Sequence, residues 1–216
     1  MKKTSTHKNN FSSETIKRLS LYLRGLRKLH IEGKEVISSR VITKLLNVTP
    51  DQFRKDLSFF GGFGKRGVGY KVNRLIKEIE TILGVNKEWP IVLTGAGRLG
   101  SALLAFEGFR QFNLKITHAL DCDKRKIGKT LNGVKIEDIN NIDKILRNNK
   151  IRISIISTPP ENAQEVASKL CACGIKGILN FSPIILRVPD DVWVSNVDMA
   201  TELESIIFFT KQRNNF

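Results

Sequence analysis

Cysteine, histidine and acidic side chains are scarce in this 216-residue chain, and each scarcity removes a class of function. The three cysteines, Cys122, Cys171 and Cys173, cannot all pair within one chain, and none stands at metal-ligand spacing from a histidine. That excludes a disulfide-stapled scaffold and a metal site, and the thiols read as buried or strand-end groups of a reducing cytosol, a cytoplasmic setting. The three histidines, His7, His30 and His118, fall at no strand end where a general acid or base would work, and His118 reads as the interior of a strand. No apolar run approaches the length of a membrane span, and the first ten residues are polar and basic without an apolar core, so neither a signal peptide nor a membrane partner is expected. Acid is short by a wide margin: 21 Asp and Glu face 36 Lys and Arg, a net charge of +15. The excess is uneven, with 18 basic and 7 acidic residues in 1–86 against 18 and 14 in 87–216. A basic front end of this kind suits a polyanion, because each neutralised phosphate releases a counterion.

What the chain does have is a glycine turn. The apolar run Ile91, Val92, Leu93 ends in Gly95, Ala96, Gly97, Arg98, Leu99, Gly100, followed by helical spacing of Leu103, Leu104 and Phe106. A strand, this turn and a helix present helix N-terminal amides to a pyrophosphate. A second apolar run, Leu114 to Leu120, ends at Asp121, where a dinucleotide fold places the acid that accepts from the adenosine ribose hydroxyls. The acid favours NAD over NADP, although Lys124, Arg125 and Lys126 follow within a turn and suit a 2′-phosphate.

The front end reads as a DNA-binding head. Met1 to Asn10 is expected to be a disordered basic arm. Ile16, Leu19, Leu23, Leu26 and Leu29 recur at helical spacing, with Arg24 beside the stripe; Val36 to Leu46 reads as a second helix. After a turn at Asn47 and Val48, the run Thr49, Pro50, Asp51, Gln52 predicts a capping box opening a short helix through Phe60. That helix is expected to expose Gln52, Arg54 and Lys55, the second helix of a helix-turn-helix. Gly61 to Tyr70 is too glycine-rich for a helix and reads as a small hairpin, a wing with Lys65 and Arg66 at its tip. Thr49, Gln52, Arg54, Lys55, Lys65, Arg66 and Tyr70 are therefore the candidate contacts to double-stranded DNA.

Leu75 to Leu83 reads as a linking helix and Gly84 to Glu88 as a hinge. Beyond the glycine turn, Ile151 to Ser157 fits a buried parallel strand, and Thr158, Pro159, Pro160, Glu161 predicts a second capping box before a helix carrying Cys171 and Cys173. Ile178 to Phe181 and Val192 to Val197 complete the sheet, with Asn180, Phe181, Ser182 and Pro183 turning between them. The last segment opens with Asp198 as an N-cap and carries Leu203, Ile206, Ile207, Phe208 and Phe209, a helix too apolar to leave in water. A homodimer exchanging that helix is the expected arrangement. The fold class is α/β: an arm over 1–10, a winged-helix head over 11–86, a Rossmann-like parallel-sheet body over 87–197 and a domain-swapped helix over 198–216.

Arg54 to Gly61, Gly64 to Tyr70, Gly95 to Gly100 and Gly174 to Phe181, in this order, resemble the redox-sensing transcriptional repressors of the Rex family, and the likeness runs from about Ser13 to Phe209. The resemblance implies a non-enzymatic homodimeric repressor that binds NAD and NADH and releases its operator when NADH rises. It implies that Gly95, Ala96, Gly97, Arg98, Leu99 and Gly100 hold the pyrophosphate and Asp121 the ribose. Thr158, Pro159, Asn180 and Phe181 would edge the dinucleotide. Asp198 would lie near the nicotinamide and pair with Arg24 across the dimer. Family members commonly carry tyrosine where Phe106 stands and Phe or Leu where Met199 stands, so Phe106 and Met199 join Arg24 and Asp198 as candidate switch residues. A dry pocket of Phe106, Phe181 and Met199 would disfavour the charged, oxidised nicotinamide. The alternatives are an NAD-dependent dehydrogenase, against which the histidines speak, and a nucleotide- or CoA-binding module without DNA, against which the basic head speaks.

Overall fold

The computed structural model describes residues 12–64 and 67–214. The chain divides into two compact units, Met1–Lys87 and Glu88–Phe216.

In the first unit, α1 (Ser13–Ile31) opens where Ser12 accepts from the Thr15 amide, and its stripe of Leu19, Tyr22, Leu23, Leu26 and Leu29 is buried. Strand β1 (Val36–Ile37) precedes α2 (Ser39–Leu46), so the helix expected from Val36 starts three residues later. The reason is pairing: the β-branched Val36 and Ile37 bond antiparallel to β2 (Tyr70–Lys71). Asn47 in the left-handed region ends α2, and α3 (Pro50–Ser58) follows, two residues shorter than expected. The same pairing revises the wing: among the described residues, Tyr70 and Lys71 pair with β1 rather than closing a hairpin within 61–70. Helix α4 (Val72–Leu83) packs along α1 and stops at Gly84, whose φ of 70° ends the helix. Phe53 of α3 is fully buried, edge-on to Tyr22 at 4.8 Å and to Tyr70 at 5.4 Å.

The second unit is a seven-stranded sheet. Its elements are β3 (Trp89–Thr94), α5 (Arg98–Ala105), a 3-10 turn over Glu107–Phe112, β4 (Leu114–Asp121), β5 (Thr130–Leu131), β6 (Val134–Asp138), α6 (Ile142–Asn149), β7 (Ile153–Ile156), α7 (Pro160–Ala172), β8 (Gly177–Asn180), β9 (Trp193–Asn196) and α8 (Met199–Asn214). The strand order is β5-β6-β4-β3-β7-β8-β9, parallel throughout except for the β5-β6 hairpin. Chain order therefore reverses at β3, between β4 and β7, which is the switch point where open α/β sheets leave a crevice at their carboxyl ends. Val92, Leu93, Leu120, Ile155 and Ile156 are buried, as strands covered on both faces require. No described helix is long and apolar enough to cross a membrane.

Candidate functional site

The carboxyl ends of β3, β4, β7 and β8 open into a cavity of about 630 Å³ lined by Gly95, Gly97, Leu99, Asp121, Thr158, Pro159 and Phe181, among others. Its floor is backbone. Gly95 sits at φ 90°, and a Cβ there would lie 2.7 Å from the Ser157 carbonyl oxygen; a Cβ on Gly100 would lie 2.0 Å from the Gly95 carbonyl oxygen. Both glycines are therefore required for the turn and for close packing of α5 on the strands. Nothing stands within 4 Å of a Cβ built on Gly97, whose position opens α5. Space beside that backbone, at a helix start, is where an anion approaches amides.

Asp121 is nearly buried and clasps the turn. Its Oδ2 accepts from the Ala96 amide at 2.8 Å and from Lys126 Nζ at 3.0 Å, and its Oδ1 accepts from the Asp123 amide at 2.8 Å. Burial alone would raise its pKa, but the amides of Asp123 and Ala96 and the Lys126 ammonium together hold it below the usual carboxylate range. Next to it Arg125 donates to Asp123 twice from its guanidinium and once from its backbone amide, holding that carboxyl down at about 2. Of the three basic residues after Asp121, then, Arg125 and Lys126 are engaged by acids, while Lys124 is exposed. Cys122 is exposed on the cavity wall.

Across the cavity, Thr158 Oγ1 is buried with no hydrogen-bond partner, the only such side-chain atom among the described residues. Thr158 lines the cavity, while this hydroxyl is itself shielded from solvent. The capping box expected there does not form: Pro159 occupies the N-cap of α7 and offers no side-chain bond. Cys171 lies in α7 and Cys173 caps its end.

Not every expected dinucleotide residue lines this cavity. The Ala96 side chain is buried and only its amide serves, while Arg98 is exposed at the start of α5. Asn180 is fully buried, its carboxamide donating to the Ser182 and Ile184 carbonyls and to Asn196 Oδ1; it shapes the loop after β8 instead of facing the cavity. Phe106 is exposed and stacks edge-on against Phe109 at 5.0 Å, and Met199 is also exposed, so of the expected apolar pocket only Phe181 is in place. Asp198 caps α8 from an exposed position, accepting from the Ala200 amide at 2.9 Å. Bonds from Thr201 and Ala200 hold it below the usual carboxylate range. Arg24 is exposed on α1.

The head has its own constellation. Thr49 accepts from the Gln52 amide at 3.1 Å and so caps α3, but the Gln52 side chain does not complete the box: its Nε2 donates to Asp56 Oδ1 at 2.7 Å. Asp56, fully buried, also accepts from Arg18 Nε at 2.6 Å, Arg18 Nη2 at 2.7 Å and Tyr22 Oη at 2.6 Å. Burial pushes its pKa up, but the bonds from Arg18, Tyr22 and Gln52 outweigh this and leave it depressed. The sequence reading missed Asp56 and Arg18; the signal was an acid within the apolar stripe Phe53, Asp56, Leu57, Phe60. Arg54 donates to Ser39 Oγ at 2.8 Å and pairs with Asp51, and Lys55 is exposed. Tyr70 lines a groove with Ser38, Ser39, Arg54 and Gly67 while its ring packs on Phe53, which leaves it half-buried with its pKa raised by burial. Lys65, Arg66 and the arm over 1–10 lie outside the described residues.

Residues 86–184 match the family model of a CoA binding domain, and residues 10–58 match that of a putative DNA-binding protein N-terminus. A redox-sensing transcriptional repressor Rex from Roseiflexus sp. (strain RS-1) is 44% identical over 194 residues, covering 90% of this chain and 88% of the relative. That from Carboxydothermus hydrogenoformans is 45% identical over 90% of this chain and 93% of the relative. This chain belongs to the Rex family. Among solved Rex-family structures, RSP in complex with beta-NAD+ and operator DNA matches with a TM-score of 0.90 at 35% identity, over 95% of both chains. RSP in complex with beta-NADH matches with a TM-score of 0.85 at 34% identity, over 96% of this chain and 97% of that one. Rex proteins are transcriptional repressors, so membership sets aside both the dehydrogenase and the module without DNA binding.

Proposed function

We propose that this Rex protein is a homodimeric repressor that grips operator DNA through α3 and the segment after it, binds NAD+ or NADH in the cavity, and loosens its grip when the cofactor is reduced. One observation carries the cofactor assignment. The turn at Gly95 and Gly97, the depressed carboxylate of Asp121 and the Thr158–Pro159 segment converge on one cavity at the sheet's switch point. Gly95, Gly97, Leu99 and the start of α5 with Arg98 would receive the pyrophosphate, and Asp121 the adenosine ribose. Thr158, Pro159 and Phe181 would flank the remainder. The engagement of Arg125 and Lys126 by acids favours a ribose diol over a 2′-phosphate.

The bound group supplies a nicotinamide that is positively charged when oxidised and neutral when reduced. An apolar surround disfavours the charged ring, and the chain contributes Phe181 directly. Phe106 and Met199 would join it once covered by a second subunit. The need for such a subunit rests on α8, whose Leu203, Ile206, Ile207, Phe208 and Phe209 are each more than half exposed. Exchange of the segment over 198–216, which carries α8, between subunits would bury them. It would also set Arg24 against Asp198 of the partner subunit, joining head to body. On the DNA side, Thr49, Gln52, Arg54, Lys55 and Tyr70 would face the duplex, with Lys65 and Arg66 beyond them.

A ligand shifts such an equilibrium only by its differential affinity for the two arrangements. The test is operator binding at fixed salt with NAD+ and with NADH, beside light scattering. We expect a dimer at micromolar concentration whose operator affinity falls at least tenfold with NADH. Equal affinities would overturn the switch, and a monomer would overturn the exchange.

A further inference from the structure

The carboxylate of Asp56 is saturated. Oδ1 accepts from Arg18 Nη2 and Gln52 Nε2, and Oδ2 from Arg18 Nε and Tyr22 Oη, all between 2.6 and 2.7 Å. A carboxylate has about four acceptor positions, and here four donors fill them. Two consequences follow from elementary chemistry. Asp56 is fully buried and ionised, so it cannot turn out to meet a ligand. And the amide orientation of Gln52, which in most proteins can reverse at little cost, is fixed, because only its NH2 group can face an anion. Gln52 stands in the first turn of α3, half-buried, beside the exposed Lys55 and Arg54. With one N–H spent on Asp56, it retains one N–H donor and the Oε1 acceptor, held in a set geometry.

A glutamine amide whose remaining N–H and Oε1 together meet one base edge matches adenine in the major groove, accepting from N6–H and donating to N7; no other base offers that pair. We propose, resting on the assignment of α3 as the element that meets DNA, that Gln52 reads an adenine in each operator half-site and that Asp56 is the positioning residue that fixes its amide. Arg18 and Tyr22 anchor Asp56 from α1, so the reading group is held by two helices. A side chain pre-set in this way loses less freedom on binding and discriminates more sharply than one that must choose its orientation on the DNA.

The experiment selects duplexes from a random pool with the full-length protein in the presence of NAD+. It then measures binding to every single-base variant of the selected half-site for the wild type, Gln52→Ala and Asp56→Asn, with thermal unfolding of each. The expected result is one A·T position at which the wild type discriminates about tenfold or more and Gln52→Ala does not, other positions keeping their preferences. In Asp56→Asn, the neutral amide at position 56 no longer dictates which end of Gln52 faces it, so discrimination at that same position falls while the salt slope is unchanged. A merely structural role for Asp56 would weaken all positions alike. Retention of every preference by Gln52→Ala overturns the proposal and leaves α3 as the DNA-binding element. If Asp56→Asn fails to fold, the Gln52→Ala profile alone decides. Failure of the wild type to retain any duplex selectively overturns both this proposal and the DNA assignment.

Discussion

The head and the body solve the same problem, holding a polar site steady, by opposite means. In the body the site is made of backbone: a glycine turn, strand ends and a helix start, with Asp121 reaching back to one amide of the turn. In the head it is made of side chains: Arg18, Tyr22 and Gln52 converge on Asp56. A backbone site tolerates almost no added volume but little depends on any one charge. A side-chain site tolerates volume better but fails when a charge is removed. Substitution should therefore sort the two units by mechanism.

The sharpest separation comes from Gly100→Ala. The new methyl group would sit 2.0 Å from the Gly95 carbonyl oxygen, a contact with backbone that cannot rotate away, so the turn must open. NADH binding measured by fluorescence should fall a hundredfold or more, and the body should lose about 3 kcal/mol by chemical unfolding, the upper end for overpacking. Duplex binding without cofactor should persist. If Gly100→Ala binds NADH normally, the body's site is not backbone-made.

In the head the matching change is Asp56→Ala, which strands the Arg18 guanidinium. Breaking a buried ion pair costs about 3–5 kcal/mol. Arg18 is one-quarter exposed, which reduces the expectation to about 2–3 kcal/mol. The pH dependence has a definite sign. Because the folded-state pKa of Asp56 is depressed, its stabilisation is full above the unfolded value of about 3.9 and is lost as pH falls through the lower folded value. The wild-type head should weaken below about pH 4, and Asp56→Asn, already weaker at neutrality, should show a flatter profile. A parallel loss in both proteins on acidification would mean that other carboxylates dominate.

Between these in kind, and smaller in stability, is Asp121→Asn. It keeps the shape and removes the charge that would accept from the ribose, so NADH affinity should fall about tenfold, in line with hydrogen bonds to charged groups. Urea unfolding should move by about 1–2 kcal/mol, because the carboxamide offers one acceptor oxygen where the carboxylate offered two, so one of the Ala96 and Asp123 amides loses its partner. A larger loss of stability than of affinity would make Asp121 a structural clasp first.

The same contrast explains which parts were legible in the sequence. A glycine required at φ 90° or under a neighbouring carbonyl can be replaced by little else, so a backbone site leaves its mark in consecutive residues 95–100. The apolar α8 was legible because its side chains have no polar face to offer water. The Asp56 cluster was not, since Arg18 and Tyr22 lie 38 and 34 residues from Asp56 in the chain and only Gln52, one turn away, is linked to it locally. Strand β1 is two residues long, too short for any period, and its existence depends on Tyr70 and Lys71 far downstream. Asn180 shows the converse: a polar residue at a strand end suits a ligand as well as it suits the three carbonyl-type acceptors it meets in this structure. Beyond the glycine turn, strand β6 and helix α6 went unread although Ile142, Ile145 and Leu146 are buried at helical spacing.

The smallest effect tests whether the head's surface charge is separate from its internal network. Lys55 is exposed on α3, away from the buried face carrying Phe53, Asp56 and Leu57. Lys55→Ala should leave unfolding within about 0.5 kcal/mol, as surface changes do. It should weaken every duplex by a similar factor and lower the slope of log K against log salt by about 1, the mark of one lost phosphate contact. NADH affinity should be unchanged at all salt concentrations, because the cavity's ion pairs, Asp121 with Lys126 and Asp123 with Arg125, lie in the other unit. A change in base preference rather than in salt slope would move Lys55 from gripping the backbone to reading bases, and would make the Asp56 cluster one of two reading devices on α3.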